Sequence, residues 1–235
     1  PQPQAPRTHT LASLVTAVAK TTSLVCSKET IRRRLHQLGF SFKLAKKLLA
    51  TACPTARALF IQKLQVWLRE ASLGQRMLLF IDEAHLHNDF EVRRGWFRKG
   101  KDQWVSSRSP GLSERLSWYG TYLYNEGRVH LDVFETSNGR NTVTYLRRLA
   151  EHVPKDMPVT LIWDGAPAHQ ARIAKACVTQ ELGWELEFLP SYSPDLMPVE
   201  ALWKWLRSER GNQCFDSMQE HIGFVESFAQ RVARD

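Results

Sequence analysis

Two apolar runs each end on an aspartate. Met77-Leu78-Leu79-Phe80-Ile81 leads into Asp82, and Val159-Thr160-Leu161-Ile162-Trp163 leads into Asp164. Continuous runs of this length suit central, fully buried strands. In open α/β sheets, sites form beyond the carboxyl ends of the strands. Two such strands side by side bring their aspartates together, and like charges that close are costly unless a cation neutralises them. Hard oxygen donors on a rigid frame suit Mg²⁺. A third carboxylate, Glu200, lies near the start of a helix after the last strand. The segment between Asp164 and Glu200 has room for one helix, one strand and a loop. Singly, each residue has a plainer reading: a strand-end turn for the aspartates, a first-turn glutamate favoured by the helix dipole for Glu200. The local sequence around them separates the two readings.

Other residues near these carboxylates carry less. Glu83 follows Asp82, but a strand points it to the opposite face, which leaves it out of the site. His85 and His87 alternate on an extended segment with no Cys nearby, a poor zinc pattern. His169, five residues after Asp164, is a candidate for site support, or else a helix-start histidine satisfying local backbone.

The elements that must position these residues follow from periodicity. Residues 11–50 read as helical. Leu11, Leu14, Val15 and Val18 keep helical spacing, and after a polar break Ser27 caps a second helix that Gly39 ends. Ile31, Leu35 and Leu38 share one face of it, and Arg32, Arg33, Arg34 and His36 the rest, a helix-turn-helix pattern or a plain helical hairpin. Pro54 opens a longer helix to residue 73, which reads as a linker. Strands are expected at 77–81, 93–98, 116–124, 128–135, 159–163 and 184–189, with Asn125-Glu126-Gly127 turning a hairpin. Helices are expected at 141–152, 168–182, 198–210 and 217–233. A meander that gives way to strands alternating with helices suits a mixed sheet covered on both faces. The expected organisation is a helix-turn-helix module at 1–52, a linker helix at 53–75 and an α/β catalytic domain at 76–235 with a basic hairpin insertion at about 90–112.

The chain of 235 residues carries a formal charge of +8 and a sequence pI of about 9.5. That balance favours polyanionic partners, nucleic acid first among them. Four scattered cysteines lack zinc-ribbon or redox spacing and read as reduced cytosolic thiols. No apolar run is long enough to span a membrane, and the polar start shows no signal peptide. The start also lacks Met, so the expectation is a fragment or processed chain.

Four segments, in order, carry a family resemblance over roughly residues 27–210. They are Ile81-Asp82-Glu83-Ala84-His85; Arg93-Arg94-Gly95-Trp96 with Lys99-Gly100; Ile162-Trp163-Asp164-Gly165-Ala166-Pro167-Ala168-His169; and Leu189-Pro190-Ser191-Tyr192-Ser193-Pro194-Asp195-Leu196-Met197-Pro198-Val199-Glu200-Ala201-Leu202-Trp203. The chain resembles transposases of the mariner-like superfamily, on its bacterial insertion-sequence-630 side. The last segment is the most specific, with Met197 and Ser191 where members often carry Asn and Pro. The resemblance implies a ribonuclease-H-like five-stranded mixed sheet with an Asp-Asp-Glu triad of Asp82, Asp164 and Glu200. The triad would hold two Mg²⁺ ions, with Mn²⁺ substituting. It implies Asp82 bridging both ions, with Asp164 and Glu200 completing one site each. It implies cleavage at terminal inverted repeats and transfer of the freed 3′-hydroxyl into TA-containing target DNA. His169 would touch a scissile phosphate or orient a water.

The DNA-facing candidates are Lys28, Thr30, Arg32, Arg33 and Arg34 in the helical module, and Arg93, Arg94, Trp96, Arg98, Lys99 and Lys101 in the basic insertion. Basic and aromatic residues interleaved there suit phosphate contacts and base stacking, or else a hairpin that packs its tryptophans on its own sheet. The three successive arginines cannot all face one groove, because neighbouring helix positions diverge by about 100°. In the family, an insertion after the first strand reaches the partner subunit, which implies a homodimer on double-stranded DNA. Residues 11–50 resemble only the second helix-turn-helix of the family's bipartite DNA-binding region. The expected setting is the bacterial cytoplasm, on the nucleoid. The competing readings are a catalytically silent DNA-binding derivative and a related ribonuclease-H-like nuclease. The intact triad argues against the first, and the helix-turn-helix with the 189–203 segment against the second.

Overall fold

The computed structural model describes residues 9–42, 53–89, 91–100, 102, 104–105, 107, 115–166, 169 and 171–232. The chain divides into two compact units, Pro1–Leu48 and Leu49–Asp235.

In the small unit, α1 (Leu11–Thr22) opens on a capping box in which Thr10 and Ser13 each accept the other's backbone N–H. Ser23 ends it in the left-handed conformation. Ser27 caps α2 (Lys28–Gln37) by accepting the Thr30 N–H at 3.1 Å, as its position predicts. Gly39 then turns at φ +81°, where a side chain would be strained.

The large unit opens with α3 (Pro54–Ser72), followed by β1 (Met77–His87), β2 (Arg115–Leu123), β3 (Arg128–Phe134), α4 (Gly139–Ala150) and β4 (Val159–Trp163). After α5 (Arg172–Ala176) and its π-helical continuation Cys177–Glu181 come β5 (Glu185–Phe188), a 3₁₀ turn at Pro194–Leu196, α6 (Pro198–Glu209) and α7 (Met218–Val232). The sheet runs β3-β2-β1-β4-β5. Its β3, β2 and β1 are antiparallel; β4 and β5 join β1 in parallel. Strand alternation sends Leu78, Phe80, Ala84 and Leu86 to one face, where they meet Phe60 and Trp67 of α3, Leu202, Trp203 and Leu206 of α6, and Val225 and Phe228 of α7. Met77, Leu79 and Ile81 go to the other face, against Tyr145, Leu146 and Leu149 of α4 and Ala174, Cys177 and Val178 of the α5 region. This is the ribonuclease-H-like arrangement, a mixed sheet between two helical layers. Residues 54–72, read from sequence as a linker, contribute their apolar stripe to the core of this unit.

The elements differ from expectation in three places. First, β1 continues past Asp82 to His87, because its pairing with β2 runs on to Arg115. Second, residues 93–98 form no strand. The backbone there bonds instead to the loop after α6, where Asn212 takes the Arg93 N–H at 2.8 Å, donates to the Arg93 carbonyl at 3.0 Å, and gives its own N–H to the Glu91 carbonyl. Third, the helix expected at 168–182 is described from Arg172; residues 168 and 170 lie outside the described residues, and His169, which is not helical, bonds Asp164.

Candidate active site

The β1–β4 register pairs Met77 with Val159 and Phe80 with Ile162. Two residues further along both chains, Asp82 and Asp164 stand level, each displaced by an even step from a residue facing the α3–α6–α7 layer. Asp82 is still within β1, opposite Gly120 of β2, whereas Asp164 is the first residue past β4. The third carboxylate, Glu200, sits in the first turn of α6. Pro198 opens that helix, and buried Val199, Leu202, Trp203 and Leu206 press it onto the sheet. Arg57 of α3 grips Asp195 with two hydrogen bonds, 3.1 and 2.6 Å, and holds the turn before α6. Asp82, Asp164 and Glu200 line one cavity of about 350 Å³, together with Gly165, Pro190 and Tyr192.

The carboxylates have unlike surroundings. Asp82 is 8% exposed. Burial first, then the charge of Glu200, and to a smaller extent Asp164, push its pKa up to about 7. Asp164 is held below its ordinary value, mainly by a hydrogen bond from His169, with the Ala166 N–H assisting against burial. Among the described residues, no three His, Cys, Asp or Glu side chains stand together as a ready-made metal cage. An open cavity with hard oxygen donors fits Mg²⁺ nonetheless, because that ion commonly takes one or two carboxylates and leaves the other positions to water and substrate phosphate.

His169 lies beneath this cavity rather than in it. It is 1% exposed and packs against Trp163 at 4.1 Å between ring centroids, the rings tilted by 31°. Its Nδ1 bonds Asp164 Oδ1. Its Nε2 stands 2.8 Å from Glu83 Oε1, an ionic contact whose N–H is not aimed along the line of a hydrogen bond. Burial alone would lower the imidazole pKa, but Asp164 and Glu83 outweigh it and raise the value to about 9. Behind Glu83, the Ser137 hydroxyl donates to Oε2 at 3.2 Å and meets the Tyr119 hydroxyl at 3.1 Å. The sequence reading left Glu83 out because alternation turns it away from Asp82. It does turn away, and His169 reaches it around the end of β4. The only signal in sequence was a carboxylate next to Asp82 and a histidine just after Asp164.

The other candidates lie outside the cavity. Arg93, Arg94, Trp96, Arg98 and Lys99 are exposed, and Lys101 lies outside the described residues. Arg93 pairs with Glu91 at 2.7 Å. Arg210, with no exposed surface, binds the carbonyls of His87 and Asp89 and so fixes the exit of β1 toward this basic segment. In the small unit Lys28, Thr30, Arg32, Arg33 and Arg34 are all exposed. The Thr30 hydroxyl is tied to Ser27 at 2.9 Å, and Arg32 is held by Glu29 at 2.8 and 2.6 Å. Arg34 donates to Gln37, and Arg33 makes no hydrogen bond or ion pair to a described residue.

Comparison with known proteins gives the chain a family and a fold. A family described as DDE superfamily endonuclease matches residues 77–221, more than half of the chain. The insertion element IS630 uncharacterized 39 kDa protein of Shigella sonnei is 24% identical over 162 residues, 68% of this chain and 46% of that protein. The chain therefore spans about half the length of this curated relative. Among solved structures, the Mos1 Strand Transfer Complex is similar with a TM-score of 0.64 at 16% identity, covering 100% of this chain and 76% of the other. The Mos1 mariner paired end complex with Mn gives 0.65 at 16% identity, covering 100% and 77%. At these identities the likeness is one of fold.

Proposed function

Since the chain belongs to the DDE superfamily endonucleases, we propose that it is a transposase of the IS630 and mariner kind that cuts DNA at terminal inverted repeats and joins the freed end to a TA-containing target. The observation that carries the reading is the convergence of Asp82, Asp164 and Glu200 on one cavity from three separate elements. In this proposal Asp82, Asp164 and Glu200 are the residues that would hold the metal. Divalent metal bound there would help activate the attacking oxygen and stabilise the leaving one. That the Mos1 neighbour is a complex with Mn supports Mg²⁺ with Mn²⁺ as a substitute.

The chain's own residues do the positioning. Asp164 is kept ionised and oriented by His169, whose other nitrogen is set against Glu83. Asp82 is held by a strand paired with two neighbours, and Glu200 by a helix clamped on the sheet. Rigid presentation of this kind is what phosphoryl transfer requires, because positioning and charge stabilisation provide most of the rate. The product of the first cut is a 3′-hydroxyl, which becomes the nucleophile of the joining step, so the proposal needs no covalent protein–DNA bond. The basic segments at 28–34 and 93–101 are the proposed DNA contacts, and a homodimer bridging two ends is the proposed assembly.

The test is Mg²⁺-dependent joining of a pre-cut inverted-repeat end to plasmid DNA, with wild type beside Asp164→Asn. Joining by wild type alone supports the proposal. Tight binding to the end with no joining by either protein overturns the enzymatic reading in favour of a binding-only protein.

A further inference from the structure

Tyr192 stands in the loop between β5 and α6 and lines the cavity of the three carboxylates. Its backbone is left-handed, at φ 62°. In that region the Cβ of an L-residue crowds the following carbonyl, and bulky side chains are rare. The side chain is 56% exposed, and its hydroxyl has no hydrogen-bond partner among the described residues. Folding accounts for neither feature. Glycine would remove the backbone strain, and a polar residue would remove the exposed ring.

The surrounding loop holds the residue in place on both sides. Before it, the Leu189 N–H bonds the Trp163 carbonyl at 2.7 Å. After it, Ser193 is buried and its carbonyl accepts the Leu196 N–H at 3.1 Å, while Met197 bonds back to Pro194. Strain kept in this way by an over-determined loop belongs to sites that use it. The result is an aromatic ring presented to solvent at a cavity lined with carboxylates. A ligand suited to both features joins a phosphate, for a metal held by the carboxylates, to a flat apolar face, for the ring. A nucleotide has both.

We propose that Tyr192 is a stacking platform for a base beside the scissile phosphate, and that the stack places that phosphate over Asp82, Asp164 and Glu200. The inference rests on the nuclease reading above and adds to it a residue that positions the substrate. Aromatic stacking accepts any base, so Tyr192 contributes placement rather than sequence choice.

Four variants separate the ring from the backbone. Tyr192→Phe and Tyr192→Trp keep a ring, Tyr192→Ala removes it while keeping the strain, and Tyr192→Gly removes both. The probes are Mn²⁺-dependent nicking of supercoiled plasmid and a nicked duplex carrying 2-aminopurine beside the nick. Phe and Trp should nick within about twofold of wild type, and Ala and Gly should each lose about tenfold, the size of one base–aromatic stack. The Gly variant should melt no lower than wild type, which excludes misfolding as the cause. Wild type should quench the 2-aminopurine, and Gly should not. If Gly nicks at the wild-type rate, or still quenches the probe, the stacking role is overturned. Should wild type nick no better than Asp164→Asn, the nuclease reading fails and this inference with it. Asp164-dependent nicking that is indifferent to Tyr192→Gly removes this inference alone.

Discussion

Gly120 lies beneath the indole of Trp203, so close that a Cβ placed on it would stand 2.6 Å from Cζ2 of that ring. Gly120 is the β2 residue opposite Asp82, and Trp203 is one turn along α6 from Glu200. The missing side chain therefore sets how near the helix bearing Glu200 approaches the strand bearing Asp82. Trp203 is 1% exposed and has little room to give way. Gly120→Ala is expected to lower stability by about 1–3 kcal/mol, as overpacked cores do. It should also reduce DNA cleavage more than an equally destabilising substitution elsewhere in the core. Paired denaturation and nicking assays check this. Activity that tracks stability alone would show that the spacing is not critical.

Asp82→Asn, Asp164→Asn and Glu200→Gln should each abolish cleavage while leaving DNA affinity within about threefold of wild type, since the binding energy comes mostly from phosphate contacts elsewhere. Retained cleavage in any one removes that residue from the triad.

The metal-free protein should lose stability as pH rises from about 4 to about 7. Asp82 titrates near 7 in the folded protein against a usual 3.8. Over that window the folded state holds a proton that the unfolded chain has released, so stability is full below the window and lost above it. The span corresponds to about 4 kcal/mol at most. Denaturation in EDTA at the two ends of the window measures it. Asp82→Asn should flatten the slope, and Mg²⁺ should restore stability at the upper end in wild type only. An unchanged slope in Asp82→Asn would assign the effect to another group.

His169 should titrate near 9, visible as the midpoint of its imidazole resonance in the metal-free protein. Its raised value means that its ionic contacts stabilise the fold fully below the ordinary 6.5, and that this contribution disappears as pH rises through 9. Glu83→Gln removes one of its two carboxylate partners and should lower the midpoint. It should also slow cleavage about tenfold through Asp164, the usual scale for losing a partner that orients a metal ligand. A midpoint that does not move would show that Glu83 does not control the histidine.

Arg33→Ala should reduce the slope of log affinity against log salt by about one, the signature of one lost phosphate contact. Arg32→Ala should change it less, because Glu29 already engages that guanidinium. Equal effects would mean that DNA displaces Glu29, and no effect from either would move the interface off α2.

Five of the six expected strands, and the aspartates that follow two of those apolar runs, were legible in sequence because they depend on local signals, whereas Glu200 was singled out only by the family resemblance of residues 189–203. An apolar run that ends in Asp, a capping serine at 27 and a proline at 198 act within a few residues, and side-chain chemistry alone dictates them. The register that levels Asp82 with Asp164 depends on which strands neighbour each other, and only the assembled sheet decides that. The clasp from Asp164 through His169 to Glu83 joins opposite faces of two strands, which a period of two keeps apart in sequence. The strand expected at 93–98 does not form, and at its start Arg93 bonds to Asn212, more than a hundred residues away, a contact that sequence does not reveal. Residue type and spacing thus determined which carboxylates are available to the site. Tertiary structure decided how they are held, because burial, register and contacts between distant segments arise only when the elements meet.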